Sequence, residues 1–575
     1  MSFIRKHPDF FILGFLALLA CGISLPFLNH AFHIDEPLFL RIAEQIKEHP
    51  LNPFGFSYLW NLKYEPVHEI AAFSPLFSYY LALVSLPHQF PPETLIHFSL
   101  VPFSIIALLS FYALCKDLGF SRQLSLFAAL LFASSSAFFV SANMAMPDVA
   151  SLSMALLSLS LGISGWKKNS IISMILSGFF LGTAVLFRYN AVALIFLFPL
   201  LGITFIPSIK RALVPSLVSM TLFLAWMLAS RIASGASHAT EVVSIFANVS
   251  GWESRFWSMN IHLTLCTFIP ILYLFLRTGY RWLILSGACF FALDFAFFFG
   301  VRIKRFEIFP DFLFFMMGSF CLIVILWEGF RKFRELFREK NRHAKKSYDS
   351  RAWLENQNIR FCFFLLWILG VLIIPIIYVQ FASKYLLIAQ PALIILTLYL
   401  FQETKTPLLG RAWLCIPLLL FSSYLVAKAD FDYANQYRGQ VDRIFDQEMT
   451  PKLSVEASQS FPFIWYTGHW GWQYYWEKKG ALPLSTQPQA DGKPENGDLI
   501  ATPAYASATD LNPYYLSKSV DFDKEFLSIP IPIRTMNPLA RTGFYSNHWG
   551  PLPFNFSRTP TEEINLYWMK PEKIA

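Results

Sequence analysis

The feature that most limits this chain is a series of apolar runs, each roughly 17–22 residues long, which is the length that carries a helix across about 30 Å of hydrocarbon. Hydrocarbon offers no hydrogen bonds to a bare backbone, so such runs must be helices. About thirteen can be placed, near 9–28, 95–115, 123–142, 148–165, 169–187, 190–207, 212–230, 261–276, 282–301, 311–327, 361–380, 385–401 and 411–428. Only 15% of the 575 residues are charged, against about 25% in soluble chains. The expected fold is therefore an α-helical polytopic membrane protein. The first run follows Arg5 and Lys6 and contains Leu18-Leu19-Ala20-Cys21, which resembles a lipoprotein cleavage box. Its length makes it a span and not a cleaved leader.

The formal net charge of +8 follows the same organisation and does not point to nucleic acid. Lys and Arg cluster between the runs, as the positive-inside rule predicts. With the N-terminus in the cytoplasm, the cytoplasmic connections hold Lys116 and Arg122, Lys167 and Lys168, Lys210 and Arg211, Arg277 and Arg281, and the basic segment 328–360. The exception is Arg302, Lys304 and Arg305, in a short outward loop. An odd number of spans leaves the C-terminal tail outside. All seven cysteines (Cys21, Cys115, Cys266, Cys289, Cys321, Cys362 and Cys415) lie in or at the ends of apolar runs. They read as packing residues and say nothing about redox compartment.

Two segments are long enough to form structure outside the bilayer: a first loop over 29–94 and a tail over 430–575. The loop predicts a short amphipathic helix at Leu38–Ile46 and an apolar surface segment at Ser74–Leu86. In the tail, Phe463-Ile464-Trp465-Tyr466 predicts a strand, Trp472–Lys479 a helix ending at Gly480, and Gly497–Thr502 another strand. That alternation predicts a small soluble α/β domain, so the chain divides into 1–429 and 430–575. Trp465, Trp470, Trp472, Tyr474 and Tyr475 could stack on a sugar; a domain core or an interfacial belt is the plainer reading.

Charges beside a bilayer require a reason. Asp35-Glu36 follows the first span, Asp148 opens the fourth, Arg188 sits at a tight turn between two spans, and Lys384-Tyr385 opens the twelfth. Individually the acids read as helix caps and the cations as snorkelling side chains. Their shared outward face suits chemistry on a phosphorylated lipid, with cations holding phosphate and a carboxylate taking a hydroxyl proton. No Walker loop, glycine-rich nucleotide fingerprint or HExxH motif is present, which argues against a soluble nucleotide donor. Asp294 lies mid-span and needs a partner or a proton.

Asp35-Glu36 with Ala43, then Phe73-Ser74-Pro75-Leu76 with Tyr79-Tyr80, then Met146-Pro147-Asp148, Arg188 and Lys384-Tyr385-Leu386-Leu387 with Pro391 resemble, in order, the GT-C polyprenyl-phosphate-sugar glycosyltransferases. That group includes protein O-mannosyltransferases and the lipid A aminoarabinose transferase. Phe39 stands where Tyr is common, and Ser74 where His or Lys is common. The resemblance implies a bacterial inner-membrane enzyme that moves one sugar, with inversion, from a polyprenyl-phosphate donor to a lipid, glycan or protein acceptor. It implies Asp35 as general base, Glu36 and Asp148 as orienting acids, and Arg188 and Lys384, with Tyr385, at the donor phosphate. The need for a metal is left open: the acidic sites Asp35 and Asp148 could hold a divalent cation, and the two basic residues could make one unnecessary. Two other classes remain: a secondary transporter, favoured by Asp294, and a membrane scaffold, in which Asp35 would be silent.

Overall fold

The computed structural model describes residues 8–60, 62–71, 73–234, 251–277, 309–343, 357–378, 380–402, 413–448, 463–485, 493–495, 497–506 and 519–569. Among these, six helices are long and apolar enough to cross a membrane: Pro8–Phe27, Glu93–Asp117, Pro147–Lys168, Ile209–Ile232, Pro310–Leu336 and Gln357–Ile377. Four shorter apolar helices accompany them, Arg122–Ala133, Ile171–Phe187, Tyr189–Gly202 and Gln390–Leu400. The run expected at 282–301, with Asp294 and the basic group Arg302, Lys304 and Arg305, lies outside the described residues.

Small residues let these helices approach closely. A Cβ on Gly178 would stand 2.5 Å from the Pro215 carbonyl oxygen of the neighbouring helix. In lipid, where apolar burial gives no drive, such contact is what holds helices together.

The single span expected at 123–142 is instead broken. Helix Arg122–Ala133 stops at Ser134, and Ser135 caps a six-residue helix, Ser136–Ser141. The Ser135 hydroxyl accepts the Phe138 amide at 3.1 Å, and the Ser134 hydroxyl donates to the Leu131 carbonyl at 3.1 Å. Consecutive serines offer the backbone local partners that compete with a continuous helix. The break sets the turn Asn143–Met146 against the first loop.

That loop forms helix Glu36–Glu48, a hairpin of Ser57–Trp60 with Lys63–Pro66, and the nine-residue helix Leu76–Val84. The tail holds a five-stranded sheet in the order Leu482–Pro483, Ile464–Tyr466, Leu499–Pro503, Glu562–Met569, Ser519–Leu527. The first three strands are parallel and the last two pairings antiparallel. Helix Trp470–Lys478 crosses between two parallel strands and stops before Gly480, whose φ is +80°, a left-handed stop that glycine adopts without strain.

Helix Cys415–Glu448 is continuous through 429/430 and carries Tyr437, whose hydroxyl donates to Glu562 of the sheet at 2.6 Å. The tail also sits directly on the first loop. Tyr475 Oη accepts the Phe32 amide and donates to Glu93, both at 2.9 Å. Arg41 pairs with Glu477. Trp472, Tyr474 and Trp476 are fully buried, so they form core and offer no sugar platform.

The tightest point of this seam is Gly471. A Cβ there would lie 2.1 Å from the Phe32 carbonyl oxygen, which is backbone and cannot swing away. Gly471→Ala is expected to push the tail off the loop and to cost about 1–3 kcal/mol, the usual range for overpacking. A lower midpoint in thermal denaturation of the purified protein would show it; an unchanged midpoint would mean the seam has slack.

Candidate functional site

The segment His33-Ile34-Asp35-Glu36 joins the first helix to helix Glu36–Glu48. Ile34 has φ +53°, a left-handed conformation that a β-branched residue adopts only when its surroundings impose it, at about 1–3 kcal/mol. The constraint is Glu36. Its carboxylate is fully buried, accepts the His33 amide at 2.7 Å and accepts the Ala145 amide across the chain. The broken helix at Ser134–Ser135 brings Ala145 within reach. Glu36 thus ties two turns together, and it does not line the cavity described below.

Asp35 occupies the N-cap position of its helix, yet its side chain makes no capping bond. It faces Lys384, whose Nζ donates to Oδ2 at 2.8 Å. Lys384 is itself buried, in the short 3-10 turn Ser383–Leu386, with Met146 Sδ at 3.5 Å. Burial alone would raise the Asp35 carboxyl, but the charges of Lys384 and Arg188 outweigh it and hold the group below the ordinary aspartate value. Asp35 is therefore a carboxylate at neutral pH.

Asp148, in the first turn of helix Pro147–Lys168, makes no hydrogen bond to the helix amides. It pairs with Arg188, Nε to Oδ1 3.2 Å. Arg188 ends helix Ile171–Phe187, and its guanidinium lies over the Tyr385 ring at 5.3 Å. Capping is thus not what either acid does. Each is matched to a cation from a distant segment.

Asp35, Arg188 and Tyr385 open into one cavity of about 390 Å³. Most of the remaining lining is apolar and includes Phe39, Phe73, Phe223, Met227, Ile374 and Ile377. Gln380 and Asn190 add polar groups. The cavity combines a carboxylate and a guanidinium with a largely apolar lining, a composition that suits an amphiphile. Asp148 and Lys384 stand behind its lining and hold the charged residues from outside.

Sequence reasoning missed several residues. Trp60 lines the cavity and packs on His469 of the tail, ring centroids 5.0 Å apart. Nothing in the hairpin sequence signals this. A second group, His30, His33, Glu36, His97 and Asp430, contains two sets of three potential metal ligands, His30 with His33 and Asp430 and His30 with Glu36 and His97. The pair His30 and His33, three residues apart just before Asp35, was the available signal.

Residues 73–234 match the family model described as dolichyl-phosphate-mannose-protein mannosyltransferase. No curated protein matches the chain. Among solved structures, the chain is similar to the oligosaccharyltransferase of Archaeoglobus fulgidus tethered to an acceptor peptide, at 13% identity and TM-score 0.46, covering 84% of this chain and 64% of that one. The same organism's AglB with an inhibitory peptide and dolichol-phosphate matches at 12% identity and TM-score 0.43, covering 84% and 65%. The present chain thus spans less than two thirds of the length of these archaeal proteins. ArnT from Cupriavidus metallidurans bound to undecaprenyl phosphate matches at 12% identity and TM-score 0.39, covering 89% and 94%. The matched family and the archaeal proteins are, by name, glycosyltransferases.

Proposed function

We propose that this chain is a membrane glycosyltransferase that moves a sugar from a polyprenyl-phosphate donor to a hydroxyl acceptor, lipid, glycan or protein, outside the cytoplasm. The observation that carries this reading is one largely apolar cavity lined by a carboxylate and a guanidinium, each held by a buried counter-charge. The family match over residues 73–234 supports a lipid-linked sugar as donor.

The prenyl chain lies along the apolar wall and the sugar phosphate reaches Arg188. Asp35 accepts the proton of the acceptor hydroxyl while that oxygen bonds to the anomeric carbon. The bond from that carbon to the phosphate oxygen breaks on the opposite face, which inverts the centre. The leaving polyprenyl phosphate carries the extra negative charge, which Arg188 stabilises. Tyr385 supports the guanidinium from below. Lys384 keeps Asp35 ionised and aimed, Asp148 fixes Arg188, and Glu36 positions the turn that presents Asp35. Asp35 and Asp148 each face a cation of the chain itself, an ammonium and a guanidinium, which balances their charge. The N-terminus is assigned to the cytoplasm, and the tail from 430 onward, read as a soluble domain, to the outer side of a bacterial inner membrane.

The test is mass spectrometry of envelope lipids, glycans and proteins from cells lacking the chain. One acceptor is expected to lose a single sugar while a polyprenyl-phosphate sugar accumulates, and the missing mass identifies the sugar. Unchanged glycans with no accumulated donor would sink the reading.

A further inference from the structure

We propose that His30, His33 and Asp430, flanked by His97 and Glu36, form a binding site for a Zn2+-type divalent metal ion, separate from the catalytic cavity. All five residues are buried, between 0% and 3% exposed. None of them lines the cavity.

The hydrogen bonds of the rings fix where their lone pairs point. His30 Nδ1 lies 2.8 Å from the Ala31 carbonyl oxygen, and His97 Nδ1 lies 2.8 Å from that of Glu93. A carbonyl only accepts, so both Nδ1 atoms carry hydrogen and both neutral rings present a bare Nε2. Those two Nε2 atoms are buried and have no hydrogen-bond partner, and neither does Nε2 of His33. Yet each faces a carboxylate: His30 and His33 face Asp430 Oδ2 at 3.6 and 3.5 Å, and His97 faces Glu36 Oε1 at 3.6 Å. The His30 and His97 lone pairs, turned toward carboxylate oxygens, repel them unless a cation lies between.

The spacings fit such a cation. At 3.5–3.6 Å these contacts are too long for good hydrogen bonds. Metal–ligand bonds of about 2.0–2.1 Å in a tetrahedron place the ligand atoms about 3.3–3.4 Å apart. Protonated rings would instead set like charges side by side, since the His30 and His33 centroids are 5.3 Å apart and those of His30 and His97 5.7 Å. Imidazole with carboxylate is the donor set that zinc prefers.

The surroundings are those of a built site. Asp430 Oδ2 receives the Tyr545 hydroxyl at 2.7 Å, and Oδ1 receives Thr535 Oγ1 at 3.2 Å. Outer partners of this kind orient metal ligands. The ion would tie together the first loop, helix Glu93–Asp117, helix Cys415–Glu448 and, through Tyr545, the tail. Its role is to clamp the assembly that presents Asp35, with no part in the chemical step.

The test uses the full chain in detergent, stripped with a chelator and then titrated with Zn2+ alone. Bound metal is measured by elemental analysis after gel filtration, alongside thermal denaturation. The expected result is close to one zinc per chain and a midpoint raised by Zn2+ but not by Mg2+. His30→Asn and Asp430→Asn should bind zinc roughly tenfold or more weakly, while Asp35→Asn binds it as the wild type does. Stripped wild type that takes up no zinc overturns the proposal, and this needs no variant to fold. Full zinc binding by folded His30→Asn overturns it too, as does loss of zinc in Asp35→Asn, which would place the metal in the cavity.

Discussion

Replacing Asp35 by Asn is expected to lower the transfer rate about 10²–10⁴-fold, the usual contribution of a positioned general base, with donor binding nearly unchanged. The amide keeps the shape and a hydrogen-bond acceptor for Lys384, but it cannot take a proton at neutral pH. A cap would behave differently, because Asn caps a helix as well as Asp does. The measurement is single-turnover transfer by purified protein with a polyprenyl-phosphate sugar, beside donor binding at equilibrium. Wild-type rates in Asp35→Asn would remove Asp35 from the mechanism. The pH profile is a second readout. Lys384 and Arg188 hold the Asp35 carboxyl below its ordinary value, so the group stays ionised as pH falls through the usual carboxylate range. The acidic limb due to Asp35 is therefore expected at lower pH than an ordinary aspartate would give, and around neutral pH this residue contributes a flat profile.

Arg188→Ala is expected to fail in two separable ways. It removes the charge at the leaving phosphate, worth about 10²–10³-fold in rate by comparison with other transition-state donors. It also leaves Asp148 buried without its cation, and breaking a buried pair costs about 3–5 kcal/mol. The double variant Arg188→Ala/Asp148→Asn removes the stranded charge and should recover most of the lost stability while leaving the rate low. Thermal denaturation and single-turnover rates on the same three preparations separate the two effects. If the double variant also recovered the rate, Arg188 would be acting only through Asp148, and the phosphate role would fall.

The helical frame was legible because hydrocarbon demands long apolar runs, and those around Glu93–Asp117 and Pro147–Lys168 are unmistakable. The break at Ser134–Ser135 was not, because three serines barely lower the mean of an apolar window, while one cap bond decides the local path. Asp35, Asp148, Arg188 and Tyr385 could be gathered in advance because each sits at a span end on one face. Glu36 could not be separated from Asp35, since what distinguishes them is the Ala145 amide, 109 residues along the chain. The histidine group was hidden for the same reason. Its carboxylate comes from Asp430, and no local pattern pairs it with His30. In the tail, the parallel strands and their crossover helix were visible in the alternation of Ile464–Tyr466, Trp470–Lys478 and Leu499–Pro503. The long strand Ser519–Leu527 was not, because Lys524 interrupts the apolar positions Val520, Phe522 and Phe526 that alternate with Asp521, Asp523 and Glu525.

The pairing of Asp35 with Lys384 joins residues 349 positions apart, and this sets a timetable on the ribosome. At about 5–20 residues per second, Lys384 is made roughly 20–70 s after Asp35. Throughout that interval the first loop has its acid but neither the ammonium that keeps it charged nor the Tyr385 ring that seats Arg188. A half-made chain therefore has the acid without the groups that pair with it. The cavity lining is complete only once the segment that carries Lys384 and Tyr385 has been made.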